Sequence, residues 1–410
     1  MHESQATAPR PSPPPPPSPD GVVRSRTDDP ARHEAFLPAP AVQNHAANLA
    51  LLPDGDLACV WFGGTQEGVS DIRVWFSRLD AAADRWSDPV PLSDDDTRSE
   101  QNPLLFTTPH GEVWLLHTAQ KAGNQDTAEV RVRISTDSAR TWSPPRTLFP
   151  ADGTSGVFVR QPVVVLDSGR WLLPVFRCVS TPGRRWSGDH DTSSVMISDD
   201  EGRTWRERPV PDSEGAVHMN VRPLADGTLL ALFRSRRADH VLTARSSDGG
   251  VTWTPPAPGT LPNNNSSIQY VRLTDGRLAL AHNNSSAADA TARRLSLYDE
   301  IDDDGLAATP AAPPQDSAPK ETPGSAFWGA PRAPMTLSLS PDGGATWPVS
   351  RDLETGDGHC LTNNSRDRLN REFSYPSILQ TSDGTLHLAY TYWRQAIKYV
   401  RVRPDWARDG

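Results

Sequence analysis

The residues best suited to chemistry share one position in the chain. About eight residues before each of six turns, ahead of an apolar run, stand polar side chains. They are Asn102, Arg160 with Gln161, His218 with Asn220, Asn264 through Ser267, and Tyr375, with Asn44 and His45 slightly further back. Polar groups at one phase of every unit are hard to explain as core, and they predict the floor of a polar pocket. A water-filled channel held by hydrogen bonds is the plainer alternative. A second set lies in loops beyond the hairpins: Glu67 and Asp71, Gln120 to Asp126, Gly188 to Asp191, Arg234 to Asp239, His282 to Ser286, and Tyr392 to Gln395. This mixture of carboxylates, guanidiniums and amides suits a saccharide or a carboxylate. Arg234, Arg236 and Arg237 form a cation cluster able to grip a carboxylate through paired donors, or else a solvated face. Asp71 or Glu67, after Gly63-Gly64, could act as a general acid or could cap the loop. Tyr375, in Arg371-Glu-Phe-Ser-Tyr-Pro-Ser377, has no packing need for its hydroxyl, although a core tyrosine is the plain reading.

The chain carries the means to gather these positions as a repeat. The octet Ser246-Ser-Asp-Gly-Gly-Val-Thr-Trp253 recurs as Ser198–Trp205 and Ser340–Trp347, with worn copies at Ser135–Trp142 and Ser77–Trp86. Such an octet predicts a hairpin tip. The Asp accepts backbone N–H groups two or three residues on, Gly reverses the chain, Thr resumes the strand, and Trp buries its ring. Between the octets run paired apolar segments, for example Leu57–Phe62 after Asp54-Gly55 and Leu229–Phe233 after Asp226-Gly227. They read as half-buried hairpins, and no stretch sustains a helical period. Turns at Asp54, His110, Asp167, Asp226, Asp275 and Asp383 mark six units, the first five about 50 to 60 residues apart. The expectation is an all-β fold over 33–405, a six-bladed β-propeller of four-stranded antiparallel blades. Inner strands of a propeller start near its axis, which would bring the polar positions together. The segment near 35–43 is expected to cover the outer edge of the last blade and close the ring.

The 410 residues carry a net charge of −10, which argues against nucleic acid and against a polybasic membrane role. A 36% hydrophobic fraction with 13 Trp still builds a core. Cys59, Cys178 and Cys360 lie far apart, without metal-ligand spacing, and their odd number fits no complete disulfide set. With no apolar leader or long apolar run, the sequence predicts a cytoplasmic protein. No metal and no cofactor are expected, since no ligand spacing or phosphate-binding glycine loop occurs. Residues 1–32, with a run of prolines, read as a disordered tail, and about 300–327, acidic and then Ala/Pro-rich, as a surface insertion.

From about residue 40 to 403 the chain resembles the sialidase (neuraminidase) superfamily of six-bladed propellers with Asp-box (BNR) repeats. In that family a Tyr paired with a Glu is the nucleophile, an Asp is the acid/base, and three Arg bind the sugar carboxylate, a departure from the two-carboxylate pattern. The resemblance implies Tyr375 as nucleophile, Arg234 and Arg332 as two of the three arginines, and Asp71 as acid/base. Two positions depart from it. Asn44-His45-Ala-Ala-Asn48 stands where the first Arg belongs, and His218, in Val217-His-Met-Asn220, stands where the Glu belongs. A His could deprotonate or orient Tyr375. The implied activity is exo-cleavage of a terminal acidic sugar, sialic acid or a relative. Arg160, His45, Asn44, Asn102, Asn220 and Glu67 would join the two arginines around an anionic carbohydrate. Two other readings stay open. One is a lyase splitting uronic-acid glycans by β-elimination through His218, Tyr375, His45 and Arg160. The other is a propeller that binds glycans without catalysis.

Overall fold

In the computed structural model, residues 19–183, 186–294, 297–298, 300–302, 305–306, 324–362 and 364–408 are described. They form six antiparallel sheets arranged as the blades of a propeller. Blade 1 is Gln43–Leu51, Leu57–Gly64, Arg73–Asp80 and Arg85–Trp86. Blade 2 is Ser99–Thr107, Val113–Lys121, Asn124–Ser135 and Arg146–Phe149. Blade 3 begins at Ser155–Val159, blade 4 at Ala216–Pro223, blade 5 at Gln269–Arg272 and blade 6 at Phe373–Gln380.

The hairpin turns form because glycine accepts a left-handed backbone. Gly55, Gly111, Gly169, Gly227, Gly276 and Gly384 all have φ between 81° and 91°. In every unit but the last an octet or its remnant caps the next turn. Asp248 accepts from Val251 N (3.1 Å), Thr252 N (2.9 Å) and Thr252 Oγ1 (2.6 Å), while Ser246 Oγ takes Gly250 N at 3.0 Å. The carboxylate therefore reaches three and four residues on, one further than expected, because the serine takes part of the turn. Trp253 is buried and its Nε1 donates to Gly250 O at 3.0 Å.

Between blades lies apolar packing. One cluster joins blades 1 and 2 through Val60, Phe76 and Leu115, and others fill the remaining junctions. Nearer the axis, polar side chains stitch each blade to the next by accepting its backbone N–H. Asn48 Oδ1 takes Leu105 N (3.1 Å), Asn220 Oδ1 takes Tyr270 N (2.7 Å), and Gln269 Oε1 takes Ile378 N (2.7 Å).

Blade 6 takes its outer strands from the other end of the described chain. His33–Phe36 pairs with Ala396–Val402, and Arg24–Ser25 lies outside it. Half-buried Glu354 braces this closure, accepting from Lys398 Nζ (2.6 Å), Arg32 Nη2 (2.7 Å) and Tyr390 OH (2.7 Å). The closing segment is thus 33–36 and not 35–43. Residues 20–32, assigned to a disordered tail, are already part of the fold, since Val22 bridges to Arg85 and Arg32 is buried. Residues 1–18 and most of the 300–327 insertion lie outside the described residues. Of its described residues, Ile301 and Ala326, with Trp328 just after it, pack against Phe158, Phe176 and Trp186 of blade 3.

Candidate active site

The inner strands share a distortion where they start. Ala46 (φ 62°), Asn102 (47°), His218 (54°), Asn265 (56°) and Tyr375 (52°) all hold left-handed backbone without being glycine. In blades 1, 2, 4 and 6 the ladder slips there, between His45 and Asn48, Gln101 and Leu104, Val217 and Asn220, and Ser374 and Ser377. Such a bulge re-aims one side chain out of the pleat, and strain of this kind is held only where the surroundings impose it. The recurrent polar phase in the sequence is the mark of these bulges.

Tyr375 stands in a nest of guanidiniums and imidazoles. Its hydroxyl accepts from Arg234 Nη1 at 2.6 Å. The guanidinium carbons of Arg160, Arg234 and Arg332 lie 5.3, 5.7 and 5.6 Å from its ring centre. The rings of His45 and His218 are 4.3 and 5.6 Å away. Arg234 is buried, and its other hydrogen-bond partners are Asn265 Oδ1 (2.7 Å) and His218 Nε2 (3.5 Å), with its guanidinium carbon 5.8 Å from the Trp328 ring centre. Among the described residues no carboxylate pairs with it, and burial lowers its pKa to about 9. Both His45 and His218 are held well below the usual histidine range, first by burial and then by the surrounding arginines, so each is neutral. His218 Nε2 then accepts from Arg234, which leaves its buried Nδ1 without a partner.

Beside the tyrosine runs a chain of buried ion pairs. Glu67 Oε2 accepts from Arg394 Nη1 (2.6 Å), and Arg394 Nε donates to Glu372 Oε1 (2.9 Å). Glu372 also takes Ser374 Oγ (2.9 Å) and Arg332 Nη1 (3.3 and 3.4 Å). Burial alone would raise the pKa of Glu372, but Arg394 and Arg332 override it and hold the carboxyl ionised, below its usual range. On the other flank Arg236 is paired with buried Asp191 (2.6 and 3.0 Å) and enclosed by Trp186, Trp328 and Phe176. Among the described residues no group of three or more His, Cys, Asp or Glu could hold a metal ion.

The structure thus brings Tyr375, His218, His45, Arg234, Arg332 and Glu67 together and reassigns others. Asp71 is exposed and caps its loop through both Thr65 N and Thr65 Oγ1. Arg160 pins backbone instead of facing a ligand, donating to Ala47 O (3.1 Å), Tyr375 O (3.0 Å) and Pro376 O (3.2 Å). Asn44 is spent on Ala41 O, Gln395 O and Trp61 Nε1, and Asn220 gives its Oδ1 to the stitch with Tyr270 while its buried Nδ2 has no partner among the described residues. Arg236 belongs to Asp191 and Arg237 is exposed, so of the cation cluster only Arg234 reaches the tyrosine. Tyr375 bonds to Arg234, while His218 meets it edge to face. Asn102 keeps a buried Oδ1 without a partner among the described residues. Glu372 and Arg394 escaped the sequence reading, although one stands three residues before Tyr375 and the other was in the rim.

A ring of six blades, five of them carrying an Asp box or its remnant, around a polar, arginine-rich axis defines the class: a β-propeller of the sialidase fold. The family model for the BNR repeat-like domain matches residues 55–388, and the chain belongs to that family. Solved structures of similar fold include a Hadza microbial sialidase, at TM-score 0.64 and 14% identity over 90% of this chain and 67% of that one. A Dyadobacter fermentans protein of unknown function gives 0.63 and 15%, over 91% and 99%. The intramolecular trans-sialidase from Ruminococcus gnavus, solved with oseltamivir carboxylate, gives 0.62 and 12%, over 91% and 97%. At these identities the likeness is one of fold. No curated protein sequence matches. No helix among the described residues is long and apolar enough to cross a membrane.

Proposed function

We propose that the protein is a glycosidase that removes a terminal acidic sugar, sialic acid or a relative, from a glycoconjugate. The observation that carries this reading is the bond from Arg234, a buried cation without a carboxylate partner, to the hydroxyl of Tyr375. A carboxylate on the sugar would supply the missing counter-charge between Arg234 and Arg332 and set the anomeric carbon over Tyr375. The Tyr375 oxygen then attacks that carbon and the bond to the aglycone breaks. The tyrosine proton passes to His218 Nε2, which shares the Arg234 nitrogen with it. The incoming anion offsets the cations that otherwise keep His218 neutral. The leaving oxygen takes its proton from Glu67, which enters the cycle as the carboxylic acid, its Oε2 still accepting from Arg394 while Glu372 alone carries the charge that pairs that arginine. Water then attacks the anomeric carbon, the tyrosyl ether breaks, Glu67 takes the water proton, and His218 returns its proton to Tyr375.

The test is release of the aglycone from an aryl α-glycoside of N-acetylneuraminic acid. We expect turnover by the wild type and at least a thousandfold less by Tyr375→Phe, the scale of losing a covalent nucleophile. Equal rates in both would refute the assignment of Tyr375. A second reading has its own support, since a neutral imidazole stands beside Tyr375 where a carboxylate would activate a nucleophile. His/Tyr β-elimination on a uronic-acid glycan would then show as ultraviolet-absorbing unsaturated ends, without aryl glycoside turnover.

A further inference from the structure

We infer that the wall contributed by blade 2 is a hydroxyl-binding subsite, and that the acidic sugar taken here carries free hydroxyls where an N-acylated sugar carries its amide. This rests on the reading of the axis as an acidic-sugar site. The wall is made of side-chain amides. Gln101 and Asn102 open the inner strand of blade 2, and Gln120 ends the next strand, whose Thr118 lies opposite Gln101. All three are buried, and Gln101 Oε1, Asn102 Oδ1 and Gln120 Oε1 have no hydrogen-bond partner among the described residues.

The other ends of the glutamines are committed. Gln101 Nε2 donates to Ser99 Oγ (2.9 Å) and Gln120 Nε2 to Tyr298 OH (3.2 Å). Tyr298 roofs this wall and packs directly on Gly68, the residue after Glu67, so the amides adjoin the carboxylate that faces the arginine chain. Asn102 is aimed by the same left-handed bulge that aims Tyr375 and His218.

Three buried polar atoms left unsatisfied in one wall are costly unless something completes them. A free amide end, whichever of its atoms faces inward, is satisfied by a hydroxyl and not by a methyl group. A ligand with vicinal hydroxyls would complete Gln101, Asn102 and Gln120, with Glu67 as a further acceptor. An acetamido group would offer one N–H and one carbonyl in place of the hydroxyl and add a methyl group that none of the three amides can bond. Sites built to bond a hydroxyl reject analogues without one more strongly than apolar pockets reject an extra methylene.

The experiment is calorimetric titration of the protein with two free acids. One is N-acetylneuraminic acid. The other is the deaminated nonulosonic acid, with a hydroxyl in place of the acetamido group. We expect the deaminated acid to bind at least about tenfold tighter. Asn102→Gly removes one amide while favouring the left-handed backbone, and Gln101→Met keeps the volume of its side chain. Each should cut the preference to about threefold or less and leave binding of the N-acetyl acid within about twofold. Equal or tighter binding of the N-acetyl acid by the wild type, equal losses for both acids in the variants, or binding of neither would overturn the inference. Selective binding without turnover of either aryl glycoside would leave this subsite standing and refute the glycosidase. Turnover without the preference would do the reverse.

Discussion

Replacing Glu372 by Gln isolates one charge at the centre of the site. The side chain is fully buried and accepts from Arg394, Ser374 and Arg332. Gln keeps the shape and one acceptor, so the loss is mostly electrostatic. Without the carboxylate, Arg332 has no acidic partner among the described residues and Arg394 retains only Glu67. Stranding a buried ion costs about 3–5 kcal/mol. The surviving carbonyl bond returns about 1 kcal/mol, so the expected loss of stability is about 3 kcal/mol. Urea unfolding followed by tryptophan fluorescence measures it. Adding Arg332→Met should recover about 2 kcal/mol, because the stranded cation is then gone. The pH dependence has a definite sign. The folded-state pKa of Glu372 lies below its unfolded value. Its contribution is therefore present above about pH 4.5 and lost as the pH falls through the folded value. A loss under about 1 kcal/mol in Glu372→Gln at pH 7, or strict additivity with Arg332→Met, would refute the buried ion chain.

Three further outcomes follow from the geometry. Glu67→Gln should lower kcat on an alkyl-linked acidic glycoside by about a hundredfold or more, the scale of general acid–base catalysis, while Asp71→Ala changes it less than about threefold; the reverse order would return the acid role to the rim. His45, His218, His282 and His387 all have folded-state pKa values below the usual one. Each therefore stabilises the fold above about pH 6.5, and that contribution fades as the pH drops. Unfolding free energy should fall between pH 6.5 and 5 by as much as about 1.4 kcal/mol per pH unit per histidine; a flat profile would contradict it. Asp248→Ala removes the carboxylate that holds Val251 N, Thr252 N and Thr252 Oγ1. It should cost about 1–2 kcal/mol in urea unfolding with unchanged turnover, and a silent substitution would mean that the octets do not brace the blades.

The fold was legible because its signals are local. Asp-Gly turns and the Ser-x-Asp octets act within eight residues, so repetition alone exposes six units. The axis was legible in part for the same reason, since Asn102, His218 and Tyr375 mark their bulges about eight residues before the turn, while blade 1 has Ala46 at that place. What stayed hidden depends on partners remote in sequence. Arg394 and Glu67 are 327 residues apart, and nothing near either announces the other. Arg160 looked like a ligand-facing cation because the carbonyls it binds, at 46–47 and 375–376, exist as a cluster only after the ring closes. Asp71 followed the resemblance, whereas its geometry is set by Thr65 six residues away.

The closure of blade 6 has a consequence for synthesis. His33 leaves the ribosome early, but its partner across the ladder is Arg401. At about 5–20 residues per second, the first strand waits roughly 20 to 70 seconds for the one it completes. Through that interval Phe36, buried in the finished molecule, is exposed beside an unpaired strand edge, the kind of surface that chaperones cover. Once residue 402 emerges, joining ends so far apart adds little entropy cost, since that cost grows only with the logarithm of loop length. A slow translation site anywhere between the codons for Phe36 and Ala396 would therefore lengthen the vulnerable stage by the whole of its pause.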